Sequence, residues 1–117
     1  MAVARGEAGA RAEALAAAFL TGRGLTILER NFRCRRGEID LIARDGMTLV
    51  FVEVRMRASD HFGSAAASIT AGKRHKLLRT ARHYLAGATR TPACRFDALL
   101  VDGADNSVEW LKNAFGE

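Results

Sequence analysis

The chain has 117 residues, 49% hydrophobic and 26% charged, a balance that excludes a disordered or fibrous class and leaves length for one domain with a modest core. Its formal net charge of +5 favours polyanions over acidic or neutral proteins as partners, without separating DNA from RNA or from an anionic membrane surface. No apolar run reaches the roughly 18 residues of a membrane span, and Glu7, Arg11 and Glu13 interrupt the Ala-rich start that a signal peptide would keep apolar; the expectation is a cytoplasmic protein with no membrane segment.

From Glu7 to Leu20, Ala12, Leu15, Ala16, Phe19 and Leu20 recur at helical spacing, and Gly22 and Gly24 stand ready to end the helix. "LTILERNFR" then reads as a strand, "RCRRG" interrupts it, and "EIDLIA" begins a second strand. "RDG" predicts a hairpin through a two-residue Asp45-Gly46 turn, since Asp-Gly tolerates the positive φ angles of tight turns. "TLVFVEV" is the third strand, rich in β-branched and aromatic residues.

The stretch Ala58 to Ser68, small and polar around Phe62, reads as a loop beside the hairpin. Thr70 to Ala86 reads as a second helix with Leu77, Leu78, Ala81, Tyr84 and Leu85 inward and Lys73, Arg74, Lys76, Arg79 and Arg82 around the rest. After Pro92, "CRFDALLV" is another strand, and "SVEWLKNAF" is either a short last strand or an irregular tail. A helix between two strands calls for a crossover, so the prediction is a single α/β domain over residues 1–117, a mixed sheet with helices packed on it.

Three carboxylates stand where apolar residues would serve a core: Glu38 and Asp40 at the head of the second strand, Glu53 inside the third. Closing the hairpin at Asp45-Gly46 pairs Asp40 with Phe51 and Glu38 with Glu53, and strand alternation puts all four with Arg55 on one face. Asp40 and Glu53 are then diagonal neighbours, about 7 to 8 Å apart at Cα, within reach of one cation. Two readings follow. The acids hold a divalent ion through hard oxygen ligands, or they form cross-strand ion pairs with Arg55 and Arg57 on a solvated face. Leu49 and Phe51 on the acidic face, with Val50, Val52 and Val54 on the other, mean both faces are covered, which places the acids at a cleft edge.

Other polar residues carry less. Cys34 and Cys94 lack CxxC or Cys/His spacing and read as reduced, partly buried thiols; His61, His75 and His83 lack metal-ligand spacing; Asp97 is assigned structural work beside Arg95. Arg30, Arg33, Arg35, Arg36 and Arg57, with the cations of the second helix, are either a solvated face or contacts to a phosphate backbone.

"GARAEALA", "GEIDLIARDGMTLVFVEVRMR", "FGSAAASITAGKRHKLL", "CRFDALLV" and "NAF", in this order and spacing, resemble the YraN-type family of small bacterial proteins over nearly the whole chain. That family in turn resembles the PD-(D/E)xK nuclease superfamily, with its restriction-endonuclease-like and Holliday-junction-resolvase-like folds. The resemblance implies an αβββαβ core. It also implies Asp40 and Glu53 as the signature acids, Glu13 as the first-helix acid beside them, and Lys73 as a basic residue at the start of the second helix.

Ile39 replaces the signature Pro, and Arg55 stands where the signature has Lys. Arginine stays protonated and cannot act as a general base, but it can hold a phosphate or stabilise developing charge. The functional expectation is a Mg²⁺- or Mn²⁺-dependent endonuclease-like protein acting on DNA. Asp40, Glu53 and Glu13 would be its metal ligands, Arg55 and Lys73 would complete the catalytic group, and Arg33, Arg35, Arg36, Arg57, Lys73, Arg74 and Lys76 would face nucleic acid. The alternative is a non-catalytic nucleic-acid-binding or adaptor protein that keeps the fold. Resolvase-like proteins commonly act as dimers, so a homodimer is an expectation of the resemblance alone.

Overall fold

The computed structural model describes residues 6–57 and 70–115, apart from the side chains of residues 6–8, 57 and 115. Its elements in chain order are α1 (Gly6–Gly22), β1 (Thr26–Cys34), β2 (Gly37–Asp45), β3 (Thr48–Arg57), α2 (Ala71–Leu85), β4 (Cys94–Asp102) and β5 (Val108–Phe115). The five strands form one sheet in sequence order. β3 and β4 run parallel, joined by the crossover that contains α2, and every other neighbouring pair is antiparallel. The predicted α/β class and αβββαβ order hold, and "SVEWLKNAF" resolves as an edge strand. The loop predicted from Ala58 to Ser68, with His61 and Phe62, lies outside the described residues.

Each helix covers one face of the sheet. Ala16, Ala17 and Leu20 of α1 pack on Leu41, Ala43, Val50, Val52 and Leu99; the small alanines let the helix approach the strands closely. Leu77 and Ala81 of α2 pack on Ile42, Phe51, Phe96, Ala98 and Leu100 from the other side. Alternation along β3 therefore sends Val50 and Val52 to α1 and Phe51 to α2, as the residue pattern predicted. α2 starts cleanly because the Thr70 hydroxyl accepts the Lys73 N–H at 3.2 Å, a side-chain cap for an otherwise orphan donor. Among the described residues, no helix is long and apolar enough to cross a membrane.

The hairpin turn differs from the prediction by one residue. Asp45 pairs with Thr48, so the connecting residues are Gly46 and Met47, with Gly46 at φ +63. Keeping Asp45 in the ladder leaves its carboxylate to accept Arg95 Nη1 at 3.0 Å. The partner of each β2 residue moves by two positions, an even step, so Ile42 and Phe51 still share the α2 face and Ala43 and Val50 the α1 face; alternation breaks at Asp40, since Ile39 joins the α2 cluster although Leu41 joins that of α1.

The strands then part. Recorded β2–β3 pairing stops at Leu41↔Val52, whereas β2 stays paired to β1 as far as Gly37 and β3 to β4 as far as Arg57. Continuing the register one step would set Asp40 across from Glu53, at the mouth of this opening.

Two features brace the opening. Gly37, at φ +148, lets α2 close onto β2, since a Cβ there would lie 2.9 Å from Thr80 Oγ1. On β4, the fully buried Asp97 accepts Arg95 Nε at 3.0 Å, Trp110 Nε1 at 2.9 Å and the Asn113 N–H at 2.9 Å. The structural role expected of Asp97 holds, and its satisfied carboxylate locks β5 onto β4. Cys34 is half-buried; Cys94 is exposed rather than partly buried, because it sits at the very start of β4.

Candidate functional site

Where β2 and β3 part, a cleft of about 680 Å³ opens toward the first turns of α2. Its walls are Gly9 from α1, Arg33 and Cys34 from the end of β1, Gly37, Glu38 and Asp40 from β2, Glu53, Val54 and Arg55 from β3, and Lys73, Lys76 and Leu77 from α2. The splay explains the hydrogen bonding of its acids. Val54 has no β2 carbonyl to meet, and Asp40 Oδ2 accepts its N–H at 2.8 Å instead. That bond orients the Asp40 carboxylate across the opening.

Glu53 is only 5% exposed. Lys73 Nζ lies 3.3 Å and Arg55 Nε 3.5 Å from its Oε2. Burial pushes the Glu53 carboxyl up to about 7, and the Asp40 charge adds to the shift, while Lys73 and Arg55 pull it back. Desolvation together with a like charge outweighs two nearby cations.

A family model described as "Uncharacterised protein family UPF0102" matches residues 12–101, from α1 through β4. The chain belongs to the UPF0102 family. A UPF0102 protein of Nitrosomonas europaea is 61% identical over 113 residues, covering 96% of each chain. One from Nitrosospira multiformis is 56% identical over 108 residues, covering 92% of this chain and 91% of its own. One from an Enterobacter species is 49% identical over 118 residues, covering 98% and 88%. The bacterial, YraN-type membership expected from the motifs therefore stands.

In this UPF0102 protein, the fold brings Asp40, Glu53, Arg55 and Lys73 to one cleft. Of the cations expected to face nucleic acid, Arg33 and Lys76 line the wall, and Arg33 meets Glu38 at 3.8 Å in an exposed and therefore weak pair. Arg35 and Arg36 are exposed in the β1–β2 turn, and Arg74 is half-buried on α2 away from the cleft wall. Arg57 ends β3, and its side chain lies outside the described residues.

Glu13 is neither solvated nor in the cleft wall. It is 4% exposed on the helical stripe of Ala16, Ala17 and Leu20, and its Oε1 accepts Asn31 Nδ2 at 2.8 Å. Sequence reading missed Asn31. The available signal was an Asn inside an otherwise strand-like run, a residue poorly suited to a strand but tolerant of left-handed backbone, which it adopts here at φ +54.

The donor set of this UPF0102 cleft suits a small hard cation. Asp40 and Glu53 offer carboxylate oxygens to one cleft. Among the described residues, no three Asp, Glu, His or Cys side chains cluster as a metal cage. An ion here would keep several waters, the coordination that Mg²⁺ prefers over an all-protein shell.

Proposed function

We propose that this protein is a metal-dependent, nuclease-like phosphodiesterase of the bacterial cytoplasm that acts on DNA. One observation carries the reading: two buried carboxylates converge on a cleft ringed by Arg33, Arg55, Lys73 and Lys76. Asp40 and Glu53 would hold Mg²⁺ or Mn²⁺. When bound, such an ion lowers the pKa of a coordinated water and polarises a phosphate, so the protein need not provide a strong base. That fits Arg55, which cannot accept a proton. Arg55 and Lys73 pair with Glu53 in the free protein, and with a cation on that carboxylate they would be the groups available to hold phosphate oxygens. Lys76 and Arg33 contact the flanking backbone.

A second reading has its own support. Lys73 and Arg55 already pair with Glu53, an arrangement that also suits a non-catalytic nucleic-acid-binding protein retaining the fold. Incubation with branched, flapped and single-stranded DNA in Mg²⁺, Mn²⁺ or EDTA separates the two. The nuclease reading expects cation-dependent cleavage that disappears in folded Asp40→Asn and Glu53→Gln proteins. Salt-dependent DNA affinity that survives both substitutions, with no cleavage in any metal, selects the binding protein.

A further inference from the structure

Outside the cleft wall, between α1 and β1, lies a pair that the proposed chemistry leaves unused. Asn31 stands between the recorded pairs Arg30↔Leu41 and Phe32↔Ile39, so its register partner on β2 is Asp40. It meets two demands at once. Its backbone is left-handed at φ +54, which excludes β-branched residues in practice and leaves chiefly Gly, Asn and Asp. Its side chain must also donate, because Nδ2 lies 2.8 Å from Glu13 Oε1. With Nδ2 donating to Glu13, Oδ1 points away from it. That oxygen is buried with no hydrogen-bond partner among the described residues. Asn meets both demands, since Gly has no side-chain donor and Asp lacks the amide N–H.

We propose that Asn31 is a positioning residue of the cation site: it pins the Glu13 carboxylate against the strand pair that carries Asp40. The inference rests on the cation-binding reading of the cleft. It explains why a buried helix acid outside the cleft wall is tethered to β1 at the position facing Asp40. Partners that orient metal ligands typically change metal affinity 10- to 100-fold when removed, even without touching the ion.

The test is Mn²⁺ titration of the full chain by calorimetry, with melting curves in EDTA, for wild type, Asn31→Gly, Asn31→Asp and Asp40→Asn. Asn31→Gly keeps the left-handed backbone and removes the amide; its Mn²⁺ Kd should rise about tenfold. Asn31→Asp keeps the shape but sets two carboxylates together, so its melting temperature should fall in EDTA and recover on adding Mn²⁺. Should Asn31→Gly not fold, the Asn31→Asp result decides. A wild-type Mn²⁺ Kd in Asn31→Gly, or an Asn31→Asp protein whose melting ignores Mn²⁺, while Asp40→Asn abolishes binding, overturns the inference and leaves the cation site standing. A wild-type chain that binds no Mn²⁺ overturns both.

Discussion

Glu53→Gln should stabilise the metal-free protein above neutral pH, although it removes a residue with two cationic partners. In the folded chain the Glu53 carboxyl sits at about 7, against an ordinary 4.5. At 1.36 kcal/mol per unit, this shift is worth about 3 kcal/mol. Its sign follows from proton linkage. Below about pH 4.5 the group is protonated whether the chain is folded or not, and it adds no pH dependence. Between 4.5 and about 7 the folded state holds a proton that the unfolded state has released, so stability falls as pH rises. Above about 7 the full penalty for a buried charge is in place. Glutamine carries none of this.

The difference in stability between Glu53→Gln and wild type should therefore grow by roughly 3 kcal/mol from about pH 4.5 to about pH 8, in favour of the variant. For 117 residues this corresponds to about 10 °C in Tm. Denaturant melts of both proteins in EDTA across that range measure it. Saturating Mn²⁺ should flatten the wild-type slope by holding the carboxylate ionised, and should leave the variant's slope alone. Parallel pH profiles in EDTA would refute the reasoning, because they would mean that Glu53 is not desolvated beside Asp40.

Lys73 opposes the Glu53 shift, so Lys73→Gln should raise the Glu53 carboxyl further and move that pH window upward, as followed by carboxyl-carbon NMR titration. Asp40→Asn keeps an acceptor for the Val54 N–H, whereas Asp40→Ala strips it; the alanine variant should be less stable than the asparagine variant by about 1–3 kcal/mol in urea melts. Gly37→Ala should destabilise by about 1–3 kcal/mol, since it forces a Cβ at φ +148 to within 2.9 Å of Thr80 Oγ1. Thr80→Ala in the same chain should recover part of that loss, the clash but not the backbone strain, in a double-mutant cycle.

Alternation along "LIA" and "TLVFVEV" depends only on backbone geometry within each strand, and the sequence by itself therefore determined which of those residues share a face, even though the turn lies one residue later than predicted, because an even shift of partners preserves parity. At Asp40 the alternation breaks, with Ile39 and Ile42 in one cluster, so the splayed strands rather than the residue pattern bring Asp40 to the cleft with Glu53 and Arg55. The α/β order and the Asp97–Arg95 pair were legible for the same local reason, being set by helical and strand periods and by two residues on one strand. Tertiary structure decided what depends on distant segments meeting. It parted β2 from β3 so that Asp40 caps Val54, and it brought Lys73 across from another element to Glu53. It buried Glu13 on the alanine stripe and tied it to Asn31, whose left-handed backbone no periodicity announces. The raised Glu53 carboxyl belongs to this second group, since desolvation and through-space charge are properties of the packed surroundings rather than of neighbours along the chain.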